Sequence, residues 1–453
     1  MGENKYQHQI IILIGTLISC FIGFYNSYPL VYSDTGSYLS SGFLGEVPLD
    51  RPIFYGLFLR HISLSASPWL IIIVQSFLTN WLLHTTLSIF FEGIKRNLFF
   101  LSSILILTLT TGFSYNISIL LPDIFCAIAL LSLINLLINS NLSKTKIFLI
   151  SILFVFSLTT HLSNIPTIGI VLIVINILNF IKKRQKKTLL FPFKKIIISF
   201  SLFLFASLLI PTVNYLNGSN FRLSNASHVF TINHLIQCGV MEEYLKDNCE
   251  NSDFTLCKFK NDLTDGFLWD KESVLYKTGG WNKNKDEYNT IISQIFSNPK
   301  YWPLLIQKSI EYTSKQYFTF ETSVFPPQLK GSAPYGQIEW RFHDSLREYT
   351  SSKQNRNQLS TKFLNIIETF LILISLLFIS ITVIYKNISS VINPNFKNIS
   401  ILLLLYSFIN SAVTSNLSTV DARYQNRWIW LLVFFTIIGI NLLYKNYKTT
   451  SVK

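Results

Sequence analysis

Ten runs of apolar residues, each 14 to 23 long, dominate this chain of 453 residues. A helix rises 1.5 Å per residue, so about 20 apolar residues cross the hydrocarbon core of a bilayer. The runs are Gln9–Tyr28, Trp69–Phe91, Leu98–Phe113, Ile117–Ile138, Ile147–Thr160, Ile165–Ile181, Ile196–Val213, Phe363–Tyr385, Ile399–Leu417 and Trp428–Tyr444. Composition agrees. Charged residues make up 14% and hydrophobic residues 49%, with a mean hydropathy of +0.38. A soluble domain carries about 25% charged residues. Disorder, collagen-like sequence and coiled coil are excluded on the same grounds. The expected fold class is an all-α polytopic membrane protein of about ten transmembrane helices. The first run lacks a cleavage site of the A-x-A kind and is read as an uncleaved helix.

The net charge of +14 invites a nucleic-acid reading, but its distribution argues otherwise. With the N-terminus in the cytoplasm, the inner loops and both tails hold 17 Lys and Arg against two acids, Glu3 and Glu92. Seven of the 17 lie between Lys182 and Lys195. This is the positive-inside pattern, so no nucleic-acid partner is expected and both termini are placed in the cytoplasm. The other face receives a first loop, residues 29–68, and a long segment between the seventh and eighth spans. From Asn214 to Gln358 that segment has 16 basic and 16 acidic residues. The expected organisation is residues 1–213 as the first seven spans, 214–360 as an extracytoplasmic domain and 361–453 as the last three spans.

The exported segment reads as a small domain with its own core. It carries Trp269, Trp281, Trp302 and Trp340, the pair Gly279–Gly280 and the pair Pro326–Pro327. Its aromatic stretch Glu287–Phe320 has the mixed polarity of helices at a membrane interface. Cys238, Cys249 and Cys257 allow one disulfide and leave one thiol, with the pairing open. Cys20 and Cys126 fall in spans and read as packing. No spacing of Cys, His or acids suits a metal site, and no nucleotide-binding loop is present.

Five polar places stand at apolar helix ends on the exported side. They are Asp34 and Tyr38 in Tyr32–Tyr38, Arg51 and Tyr55 in Pro48–Gly56, Asp123 in Leu121–Phe125, His161 in Thr160–Asn164, and Arg423 with Arg427 in Asp421–Arg427. Singly, each has an ordinary reading as a helix cap, a turn or an interface anchor. Together they form a set of acids, arginines and a histidine on one face. Charged groups at membrane depth are costly and usually serve a function. A carboxylate can take a proton from a hydroxyl, and arginines can hold a phosphate.

Asp34-x-x-x-Tyr38 followed by Arg51-Pro52-x-x-Tyr55-Gly56 resembles the polytopic GT-C glycosyltransferases, including protein mannosyltransferase-like and aminoarabinose-transferase-like bacterial enzymes. Members typically read Asp-x-x-x-Tyr and then Arg-Pro-Pro-x-Tyr-Pro, so Gly56 stands where a proline is common. Leu121-Pro122-Asp123 resembles their second acidic position, and Arg423-Tyr424 their late Arg-Tyr. The resemblance implies an inverting transferase of the bacterial inner membrane. It would use a polyprenyl-phosphate-linked sugar donor and a lipid, glycan or protein acceptor. Asp34 would be the base, and Asp123 would assist it, position the acceptor or bind a divalent cation. Arg51, Tyr55, Tyr38, His161, Arg423 and Arg427 would bind the donor phosphate or substrate. Metal dependence varies among such enzymes. Two other readings stay open. A carrier or flippase for a lipid-linked glycan would use charges deep in the spans, for which Glu368 and His84 are the candidates. An O-antigen-type polymerase would use outer-loop arginines such as Arg341 and Arg347, near His343.

Overall fold

The computed structural model describes residues 5–323, 325–385 and 393–450. Among these the chain is helical, with one isolated β-bridge, Leu30 to Ile119. Among the described residues seven helices are long and apolar enough to cross a membrane: Trp69–Leu87, Gly93–Thr110, Asn164–Arg184, Phe193–Leu216, Lys362–Ile384, Pro394–Leu417 and the Ala422–Lys445 part of the last helix. The protein is an all-α membrane protein.

The remaining apolar runs of the sequence are shorter or interrupted. The first is Lys5–Ser19 followed by Phe21–Asn26. Its break releases backbone N–H groups that hydrocarbon could not satisfy. Ser114 and Ser118 accept them, from Ile22 and Gly23, each at 3.0 Å. The run expected from Ile117 is split into Phe113–Ser118 and Ile124–Ile138, with Asp123 at the break. Every residue of Ile124–Ile138 is buried, so this apolar helix is the centre of the bundle rather than a lipid-facing span. Helix Lys144–Thr160 has 17 residues and packs beside it.

The segment after the first run is held from two sides. Leu30 N–H donates to Ser118 O at 2.8 Å and Leu120 N–H to Leu30 O at 2.9 Å. On the other side Gln354 closes both backbone groups of Val31, accepting from its N–H at 3.1 Å and donating to its carbonyl at 2.7 Å. The bridge sets the start of helix Ser33–Leu44 beside the Asp123 break. That helix then packs closely on helix Phe54–Ser63. The approach needs glycine: a Cβ on Gly42 would lie 1.9 Å from Gly56 O, and one on Gly56 2.4 Å from Ser41 Oγ. Any side chain at Gly56, proline included, would collide there, which accounts for the departure from the resembled motif.

The long segment before Lys362 divides between two cores. Residues from Val229 to Tyr301 form a separate apolar cluster with Cys249–Cys257 as its disulfide, while Cys238 is a buried free thiol. Residues from Phe320 to Leu359 pack instead into the main bundle. Between them lies helix Trp302–Tyr317, set against helix Pro394–Leu417.

Candidate functional site

Asp34 sits in the first turn of helix Ser33–Leu44, where the N-terminal end of the helix dipole favours an acid. Its two carboxylate oxygens meet two arginines distant in sequence. Oδ1 accepts from Arg51 Nη2 and Oδ2 from Arg423 Nη1, each at 3.2 Å. Arg51 also grips Asp50 Oδ2 through Nε at 2.9 Å and Nη2 at 2.6 Å, and its guanidinium lies 4.9 Å from the Tyr38 ring centroid. Asp123 stands at the N-terminal end of the buried central helix without a capping hydrogen bond, its side chain only 3% exposed. Its Oδ1 stands 3.7 Å from Arg423 Nε and 4.0 Å from Arg427 Nη1, too far for a good hydrogen bond. Arg423 therefore lies between both acids, which are 89 positions apart in the chain.

Arg427 is fully buried and bonded to Ser163 Oγ at 2.9 Å and Asn410 Oδ1 at 3.1 Å. His161 Nδ1 accepts the backbone N–H of Ser163 at 3.2 Å. An accepting Nδ1 leaves the ring proton on Nε2. Burial, with Arg427, Arg423 and Arg51 nearby, holds this imidazole well below its ordinary pKa, so it is neutral near pH 7. Tyr55 packs edge-on against Tyr38, with ring centroids 5.1 Å apart. It is buried and its hydroxyl donates to Gln75 at 2.7 Å.

Several donors and one acceptor in this cluster make no hydrogen bond although they are shielded from solvent: Arg51 Nη1, Arg427 Nε, and the ion-paired but unbonded Arg423 Nε, Arg427 Nη1 and Asp123 Oδ1. A buried guanidinium N–H left unbonded is costly. Orphans from three arginines in one place point to a ligand that accepts hydrogen bonds and carries negative charge. Burial alone would raise the pKa of Asp34. The charges of Arg51 and Arg423 outweigh it and hold the carboxyl below its usual range, so Asp34 is ionised at neutral pH. With both oxygens engaged it is a weak base until one arginine turns to another anion.

The position of the cluster is consistent with the helix ends. His161 precedes helix Asn164–Arg184, whose far end carries Lys182, Lys183 and Arg184. Twenty-one residues place that basic run roughly 30 Å away. Around Asp123, where a cation was considered, Arg423 Nε and Arg427 Nη1 already stand 3.7 Å and 4.0 Å from Oδ1, and both Asp34 oxygens face guanidinium groups. Among the described residues no group of three His, Cys, Asp or Glu could hold a metal.

The charges considered for a transport path are tied into the scaffold. Glu368 accepts from Gly112 N–H at 2.7 Å, Thr322 Oγ1 at 2.6 Å and Asn426 Nδ2 at 3.2 Å. His84 pairs with Asn97 Oδ1 at 3.0 Å. Sequence reasoning saw Asp50 only as a turn neighbour of Arg51, and missed Ser163, Asn410 and the Glu368–Asn426 contact that holds the helix turn between Arg423 and Arg427. Only Asp50, adjacent to Arg51, left a local signal. No family profile, characterised protein or solved structure matches this chain.

Proposed function

We propose that the protein is a glycosyltransferase that moves a sugar from a polyprenyl-phosphate donor to a hydroxyl acceptor on the outer face of a bacterial inner membrane. In this reading the chain crosses the membrane about ten times. Both termini and the Lys182–Lys195 run are cytoplasmic, and the segment before Lys362 is exported. One observation carries the proposal: buried N–H groups of Arg51, Arg423 and Arg427 that make no hydrogen bond surround two carboxylates at a helix-bundle end.

The chemistry follows from these groups. The donor phosphate takes up the free guanidinium N–H groups and draws Arg51 and Arg423 away from Asp34. Asp34, freed of one or both ion pairs, accepts the proton of the acceptor hydroxyl. The acceptor oxygen bonds to the anomeric carbon as the carbon–phosphate oxygen bond breaks, so configuration inverts. The phosphate leaves on its lipid, its charge held by the arginines. Asp123 keeps Arg423 and Arg427 in place.

Arg341 favours a second version of the same transfer. Its Nε and Nη2 are buried without partners, it stacks on Trp340 and Phe43, and burial and the nearby charge of Arg60 lower its pKa. A second anion there suits an acceptor that is itself lipid-phosphate-linked, as in an O-antigen-type polymerase. Mass spectrometry of surface lipids and glycans, with and without the protein, tests both versions. Loss of one sugar supports the simple transfer, and loss of a repeating polymer supports the polymerase. Unchanged glycans with altered sidedness of a lipid-linked precursor would overturn the proposal in favour of transport.

A further inference from the structure

The geometry points to helix Trp302–Tyr317 as a membrane-surface helix that rests the Val229–Tyr301 module on the bilayer at the Asp34 end of the bundle. The helix has three faces. Leu304, Leu305 and Tyr312 pack on the core of the module. Thr313 and Gln316 are buried towards the bundle, where Asn416 Nδ2 donates to Thr313 Oγ1 at 3.1 Å. The third face is open and divided lengthwise. One ridge is apolar: Trp302, Ile306 and Ile310, 48%, 60% and 64% exposed. The ridge beside it, Gln307, Glu311 and Lys315, is polar and exposed.

A ridge at i, i+4 and i+8 with a polar neighbour suits a helix lying in the interface plane. The occupant is lipid because the helix that carries the ridge is set against an element long and apolar enough to cross the membrane. The helix packs on Pro394–Leu417, whose Phe408 and Leu417 are exposed on a membrane-spanning element. Trp302 fits the same setting. Its indole N–H donates to Phe296 O at 2.9 Å, so the ring can meet hydrocarbon without an unsatisfied donor. The helix is also registered to the site. Gln316 donates to Asp421 O and accepts from Asp421 N–H, each at 2.8 Å, immediately before Arg423. This inference concerns placement on the membrane and does not depend on the transfer reaction.

The test uses the full-length protein in lipid nanodiscs, with a nitroxide label placed in turn at positions 306, 310, 307 and 311. Collision rates with oxygen and with a water-soluble nickel chelate are compared. Labels at 306 and 310 are expected to favour oxygen, and those at 307 and 311 the nickel chelate. Trp302→Phe is expected to remove part of the tryptophan quenching by brominated lipids. Equal nickel accessibility at all four positions would overturn the inference. So would shielding of 306 and 310 from both reagents, which would mean that protein covers the ridge.

Discussion

Two ion-paired systems in this molecule differ in setting. In the module, Lys300 Nζ lies 2.5 Å from Asp247 Oδ2, with the lysine side chain 56% exposed. At the bundle end, Asp34 is held by two arginines whose side chains are 12% and 14% exposed. Water screens the first pair and solvates either partner alone. The second is closed off, so removing one member leaves charges without compensation. Short distance alone therefore says little about importance, whereas burial sets the cost of losing a partner.

The largest expected effect separates chemistry from structure. Asp34→Asn is expected to lower sugar transfer by ~10²–10⁴-fold, the range for loss of a general base, with the protein still inserted and helical. Liberated polyprenyl phosphate measures it, and full activity would remove Asp34 from the mechanism. Arg423→Ala comes next, because it removes the nearer of the two arginines at Asp123 and one of the two at Asp34. A stability loss of ~3–5 kcal/mol is expected in detergent unfolding. A loss no greater than that of Lys300→Ala would erase the contrast drawn above.

Gly42→Val tests the glycine contact that sets the Asp34 helix. It is expected to cost about 1–3 kcal/mol and to lower transfer along with stability. Replacing Cys249 and Cys257 by serine opens a link across eight positions. By chain entropy this weakens the module by about 2.5 kcal/mol while the bundle end keeps its ion pairs. Lys300→Ala, the smallest, is expected to leave the unfolding temperature unchanged. The pH profile sharpens the same comparison. The lowered pKa of Asp34 means that its pairing contributes stability above the ordinary carboxylate range. That contribution is lost only as pH falls through the depressed pKa, so unfolding monitored from neutral to mildly acidic pH should show none of the loss.

Asp34, Arg51, Asp123 and Arg423 were legible because each stands out against an apolar background. Their meeting was not, since the Leu30–Ile119 backbone bridge and the Gln354 side-chain clamp on Val31 that align them join positions far apart in the chain and leave no local pattern. Tyr55 was legible as part of a motif, yet its hydroxyl is taken up by Gln75. The divided segment before Lys362 was hidden for a similar reason. Phe320 and Ile338 are no more apolar than Val229 or Ile291, and only packing assigns them to the main bundle.

Composition and run length settled by themselves that this chain is a helical membrane protein, because hydrocarbon permits few other solutions for so many apolar residues. Which charges share a partner was decided by tertiary structure. Coulomb energy depends on separation in space and on exclusion of water, and neither is written in the order of residues.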